Sequence, residues 1–334
     1  MRQGAEKYKK NTKIIIFFPM IRIGFFGTPH LAARVLQDFL ESSKFEVLFV
    51  VTGEDKPVGR HQILTMNPVK KLALEKSIPI LQPARIRGNA EFLEEIRSYE
   101  ADYFIVVAYG KILPVELLEI PKKYPINIHG SILPKYRGAS PIQTALINGE
   151  KETGVTIMVM NEKMDEGDII DVKKIEIETS ETTETLFQKF EDVSGDFAME
   201  TIQKLDKGEL VPKAQDENTA TYCKKITKEE GLLDFSKSAK ELYYLYQGLT
   251  PWPGVYAFYK GKKLIIEQCF YEEDAECEGA IGTIVQKGSE IGIICGKGLL
   301  TLSQVKLEGK KSQSIREFLN GHRDFIGSIL YNHS

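Results

Sequence analysis

Asn127-Ile128-His129 sets an amide and an imidazole two residues apart. On a strand such residues point to the same face, so both could meet one ligand. An amide N–H can stabilise a developing oxyanion, and an imidazole can carry a proton. Gly130 and Gly138 flank the pair and would let backbone approach a ligand closely. Taken alone, the pair reads equally as a hydrogen-bonded couple in the core. The acidic turn Met164-Asp165-Glu166-Gly167-Asp168 follows an apolar run and could lie beside it. A carboxylate there would orient the imidazole, although such a turn also suits a solvated loop or a helix cap. A metal held by His129, Asp165 and Asp168 would need more nitrogen ligands than are visible, so no metal is expected.

These residues need a rigid frame, and the chain from Ile21 to about Lys207 supplies its pattern. Apolar runs at Ile21–Phe26, Glu46–Val51, Asp102–Val107, Pro125–His129, Gly154–Val159 and Asp168–Ile177 alternate with helical stretches. Among these are His30–Glu41, a helix opened by Asn67-Pro68, and a long amphipathic run over 184–205. Asn is a good N-cap, and Pro suits the first helical position because its missing N–H is not needed there. Strands buried on both faces and separated by helices predict an α/β fold with a Rossmann-like, doubly wound, mostly parallel sheet. Ligands bind at the carboxyl ends of strands in such a sheet, which is where Asn127 and His129 fall. The glycine turn Gly24–Pro29 lacks the dinucleotide-binding spacing and reads as structural.

Residues 20–208 are therefore expected to form the catalytic domain, and 209–223, polar and carrying Pro212, a linker. Residues 224–334 hold one helix at about 236–246, then short strands at close spacing: a smaller C-terminal OB-like β-barrel. Residues 1–19 are expected to be an upstream extension, with Met20 as the functional start.

With 42% hydrophobic and 27% charged residues among 334, the chain can build large cores, which excludes intrinsic disorder. Lys plus Arg of 44 against Asp plus Glu of 47 gives a net charge of −3, which excludes nucleic-acid binding through a strong overall positive field. It leaves room for a local basic surface. The 4 cysteines form no Cys-x-x-Cys pair and suggest a reducing, cytoplasmic setting.

Asn127-x-His129, the following Ser131-Ile-Leu-Pro134-x-x-Arg137-Gly138 and Asp165-x-Gly167-Asp168 together resemble the signature of the 10-formyltetrahydrofolate-dependent formyltransferases. The resemblance extends through Phe26–Pro29, Val107–Pro114, Gly138–Gln143, Glu152–Met158 and Thr250–Gly254, in order. It implies a Rossmann-like domain followed by an OB-like barrel, with Asn127, His129 and Asp165 catalytic. By the same resemblance, 10-formyltetrahydrofolate is the formyl donor. Ser131, Ile132, Leu133 and Pro134, with Tyr109, Gly110, Ile112 and Leu113, would line its pocket.

Within the family the likeness is nearest the branch that formylates methionyl-initiator tRNA, and a monomer is expected. The loop Gly53–Thr65 would contact the acceptor stem through Lys56 and Arg60, although Gln62 and Ile63 stand where basic residues are usual. Lys225, Lys228, Lys262, Lys263 and Lys310 are the further cations expected to meet the tRNA. An enzyme formylating an amino sugar or a purine precursor, and a catalytically silent RNA-binding protein, are the competing readings.

Overall fold

The structure, a computed structural model, describes residues 20–59 and 62–331. The expected extension 1–19 and the candidate Arg60 lie outside the described residues. In chain order the first part comprises β1 (Ile21–Gly27), α1 (His30–Glu41), β2 (Phe45–Val51), β3 (Lys56–Val58), β4 (Ile63–Thr65) and α2 (Pro68–Glu75). Next come β5 (Ile80–Leu81), α3 (Ala90–Ser98), β6 (Tyr103–Val107), α4 (Val115–Leu118), β7 (Tyr124–His129) and β8 (Arg137–Gly138). Then follow α5 (Pro141–Ile147), β9 (Glu152–Val159), β10 (Ile169–Glu176) and α6 (Thr183–Asp206).

The central sheet has the order β10-β9-β7-β6-β1-β2-β5. Strands β5, β2, β1, β6 and β7 run parallel, while β9 and β10 join antiparallel. Adjacent Phe25 and Phe26 are both fully buried because helices cover both faces. Phe25 packs with Val35, Leu36 and Phe39 of α1 and with Leu186 and Phe190 of α6. Phe26 joins Phe92, Ile96 and Leu117 of α3 and α4 on the other face. The Asn67 carboxamide caps α2 by accepting from Lys70 N at 3.0 Å, with Pro68 in its first turn.

Helices α1 and α6 approach closely at Gly195, where an added Cβ would lie 2.0 Å from the Asp38 carboxylate. Burial pushes the Asp38 carboxyl up to about 6, overriding Arg34 at 3.5 Å, which lowers it. The folded state thus prefers protonated Asp38, and stability falls as pH rises from the ordinary carboxylate range through 6. Asp38→Asn should be more stable than wild type at pH 7 by about 2 kcal/mol. The advantage should vanish below about pH 4. Urea unfolding at both pH values reads it; a pH-independent difference would refute this account.

The remaining elements are β11 (Tyr222–Cys223), α7 (Ala239–Leu249), β12 (Val255–Tyr259), β13 (Lys262–Glu272), β14 (Ile284–Lys287), β15 (Glu290–Ile294), β16 (Leu299–Leu307), β17 (Gln313–Ser314) and α8 (Ile315–Gly321). Helix α7 starts and ends about three residues later than its sequence pattern suggests. Asp234 ties up Ser236 in a bend, accepting from its N at 3.1 Å and Oγ at 2.7 Å, and Ser238 with Glu241 forms the capping box.

The second sheet runs β12-β13-β16-β15-β14, antiparallel throughout, with β17 paired to β16. Strand pairing alone leaves it open between β12 and β14. The segment 327–331 fills that gap: Gly327 N donates to Ile284 O and Ile284 N to Ser328 O, both at 2.8 Å. Phe258 and Tyr331 then exchange backbone bonds at 2.8 and 3.1 Å. Val255, Ala257 and Tyr259 face the barrel core, leaving Tyr256 and Phe258 outside. The two domains meet where α5 packs on α7. There buried Gln247 donates to the carbonyls of Thr179 at 2.9 Å and Glu181 at 2.6 Å. Among the described residues no helix is long and apolar enough to cross a membrane.

Candidate active site

Strand β7 ends at His129, so Asn127 and His129 leave its carboxyl end on one face. The turn between β9 and β10 brings Asp165 to them. Asp165 Oδ1 lies 3.4 Å from Asn127 Nδ2 and 3.7 Å from His129 Nδ1. Its Oδ2 accepts the Gly138 N–H at 2.8 Å. Three groups lying 27 to 38 residues before Asp165 thus converge on its carboxylate.

His129 is 6% exposed, and its Nε2 lies 3.0 Å from the Tyr136 carbonyl. A carbonyl only accepts, so Nε2 carries a proton and Nδ1 is the nitrogen turned toward Asp165. The ring is held at one end and able to exchange a proton at the other. Asn127 uses one N–H on Asp165 and keeps a second to donate elsewhere. An amide donor, an imidazole nitrogen and a carboxylate around one point can polarise a carbonyl and shuttle a proton.

The backbone around Asp165 is constrained. Asp165 itself adopts φ +57°, the left-handed region. Gly138 has φ +119°, and a Cβ there would fall 2.1 Å from the Cys223 carbonyl oxygen, because β11 pairs alongside β8. Only glycine lets β11 approach so closely.

The Ser131–Pro134 segment is pinned by Thr156 on β9. Thr156 Oγ1 donates to Ser131 O at 2.6 Å and accepts from Leu133 N at 3.1 Å. Ser131 Oγ turns back to the Lys135 carbonyl at 2.6 Å. Leu133 is buried, with Ile132 and Pro134 half-buried. The second predicted lining, Tyr109 to Leu113, follows the carboxyl end of β6, the parallel neighbour of β7. Tyr109 and Leu113 are buried, and Gly110 and Ile112 are exposed. The Tyr109 hydroxyl is buried with no hydrogen-bond partner among the described residues, and burial pushes its pKa up to about 12. An orphaned hydroxyl among apolar side chains suits a flat ligand with a polar edge.

Neither Thr156 nor the Tyr136 carbonyl stands out in the sequence, since a threonine in a strand and a backbone oxygen carry no local mark. No group of three or more His, Cys, Asp or Glu residues placed to hold a metal occurs among the described residues.

Of the candidate cations, Lys56, Lys225, Lys228, Lys262 and Lys310 are exposed and Lys263 is half-buried. Lys263 Nζ sits 3.5 Å from the centroid of the Tyr256 ring. Its backbone carbonyl accepts from Glu308 N at 2.8 Å, two residues before Lys310. The turn that closes from Gly231 N to the Lys228 carbonyl is followed by Leu233 N donating to Tyr256 O at 2.9 Å. Lys263 therefore lies on the outer face of β12 and β13, whereas Lys56 belongs to the separate β3–β4 ribbon.

Comparison with known proteins identifies two consecutive family matches: "Formyl transferase" over residues 21–217 and "Formyl transferase, C-terminal domain" over residues 225–323. A methionyl-tRNA formyltransferase of Caldanaerobacter subterraneus subsp. tengcongensis is 41% identical over 93% of this chain and 100% of its own length. One from Caldicellulosiruptor saccharolyticus is 41% identical over 92% and 99%. In fold, the chain is similar to an N-formyltransferase from Helicobacter canadensis in complex with folinic acid and dTDP-3-aminofucose. That likeness has a TM-score of 0.62 at 19% identity, covering 85% of this chain and 99% of that one. On the extent of the first match and the identity to the two curated relatives, the chain belongs to the formyl transferase family.

Proposed function

We propose that the chain transfers the formyl group of 10-formyltetrahydrofolate to the free α-amine of methionyl-initiator tRNA, acting as a cytoplasmic monomer. The observation that carries this reading is the convergence of Asn127 and His129 on Asp165 at the carboxyl edge of the sheet. Likeness in sequence to curated methionyl-tRNA formyltransferases across nearly the whole chain supports the choice of acceptor.

The chemistry follows from the groups present. The amine nitrogen attacks the formyl carbon, forming a C–N bond and a tetrahedral centre with charge on the formyl oxygen. Asn127 Nδ2 donates to that oxygen through its second N–H. The bond from carbon to N10 then breaks, the amine loses one proton and N10 gains one. His129 Nδ1, facing Asp165, exchanges that proton, and Asp165 stabilises the ring while it is charged. Tyr109, Gly110, Ile112 and Leu113 on one side, with Ser131, Ile132, Leu133 and Pro134 on the other, hold the folate. Residues 20–208 would carry this chemistry, and 224–334, joined through 209–223, would hold the tRNA.

The direct test incubates the protein with folate labelled in the formyl group and charged initiator tRNA. Label on the methionine supports the reading. Label only on an added amino sugar or purine precursor would replace the acceptor, and no transfer to any amine would favour a silent RNA-binding protein.

Lys56, Arg60, Lys225, Lys228, Lys262, Lys263 and Lys310 would supply the phosphate contacts. Replacing Lys262 and Lys263 together by Ala should weaken tRNA binding and reduce the steepness of log Kd against log salt by about 1–2. An unchanged slope would remove these two lysines from the interface.

A further inference from the structure

The stretch leading into the C-terminal domain is tied to the loop that carries Asp165. Lys213 exchanges both backbone bonds with Ile169, each at 2.8 Å. Gln215 Nε2 donates to the carbonyls of Asp165 at 2.8 Å and Gly167 at 2.7 Å. Its Oε1 accepts from Arg137 Nε at 3.1 Å and Nη2 at 2.9 Å. Glu217 takes Arg137 Nη1 and Nη2 at 2.9 and 2.8 Å, and the Tyr222 hydroxyl accepts from Nη1 at 3.0 Å.

Arg137 is fully buried, and its guanidinium is satisfied almost wholly by this stretch. Its contact with Glu217 raises the Arg137 pKa and lowers that of Glu217, so both are charged. Arg137 also precedes Gly138, whose N–H holds Asp165 Oδ2. The carboxylate is therefore fixed from two directions that meet at Gln215: through its own carbonyl, and through Arg137 to Gly138. A non-glycine residue at φ +57° persists only where its surroundings over-determine it.

We propose that Gln215, with Arg137 and Glu217, is a positioning residue for Asp165, so that the connection between the domains sets the geometry of the reacting centre. None of the three needs to touch the formyl group. The inference rests on the formyl-transfer reading above.

Gln215→Glu keeps an acceptor for Arg137 and removes the donor shared by the Asp165 and Gly167 carbonyls. It should lower kcat by about 10- to 100-fold, the scale of a misplacement of order 1 Å. KM for the folate should stay within about threefold of wild type. A double-mutant cycle separates positioning from general damage. If Gln215 acts through Asp165, adding Gln215→Glu to Asp165→Asn costs less than about twofold further. Equal losses in both backgrounds, or a kcat for Gln215→Glu within about twofold of wild type, would overturn the proposal.

Should Gln215→Glu fail to fold, Glu217→Gln, on an exposed side chain, enters the same cycle, with the same outcomes deciding. Because the cycle compares rates within one assay, a different amine acceptor would overturn the tRNA reading and leave the cycle readable on that acceptor.

Discussion

His129→Ala is expected to lower kcat for formyl transfer by about 10²–10⁴-fold, the range for a positioned proton carrier. KM for 10-formyltetrahydrofolate should change by no more than about threefold. The split follows from the geometry. The ring is bound at Nε2 to a backbone carbonyl and faces Asp165 through Nδ1, while the residues assigned to the folate lie on the segments 109–113 and 131–134. Removing it takes away the proton carrier and leaves those segments in place, because Ser131 and Leu133 are held by Thr156 rather than by the imidazole. Steady-state kinetics with each substrate varied in turn measures both constants. A kcat near wild type, or a loss confined to KM, would refute the catalytic assignment.

Gly167→Ala should produce the second large effect, on stability and turnover together. A Cβ on Gly167 would lie 1.8 Å from the Val159 carbonyl oxygen, a backbone atom at the end of β9. That strand end is itself tied down, with Val159 N donating to Asp168 O at 2.9 Å. Neither partner can yield without moving the turn that presents Asp165. The cost should be about 3 kcal/mol, the upper part of the usual range for single substitutions. That corresponds to a fall of about 6–12 °C in Tm for a domain of this size. Thermal unfolding and kcat on the same preparation test it. A Tm and kcat both unchanged would mean that the turn adjusts freely.

Much of this frame was legible in the residues. The doubly buried strands announce themselves because two covered faces demand continuous apolar runs, as at Phe25-Phe26 and Tyr103–Val107. Asn67-Pro68 and the apolar spacing of α6 carry local signals of capping and amphipathicity. Asn127 and His129 could be placed on one face by strand geometry alone. Asp165 was less sharply marked: its turn follows an apolar run and could be set beside them, but its catalytic role came only through resemblance, since nothing local brings residues 38 positions apart together.

The β3–β4 ribbon left no trace for the opposite reason. Its strands are three residues long, and Ile63 and Leu64, at 65% and 68% exposure, break the alternation that marks a half-buried strand. Around Gln215 and Glu217 the composition is polar and describes only a connection between domains. The bonds those side chains make reach across 48 to 80 residues, and a polar side chain satisfied at such range looks like a solvated one. The closing segment 327–331 is hidden in the same way.

That segment has a consequence for the order in which the molecule is built. Strands β12 to β16 can pair as they emerge during synthesis, but until residues near 330 exist, Phe258 and Ile284 keep bare main-chain edges. The nascent barrel is a template for pairing with a neighbouring chain throughout that interval, well after the first sheet has had its strands available to fold. Premature termination just short of this point would leave a product locked in that sticky state.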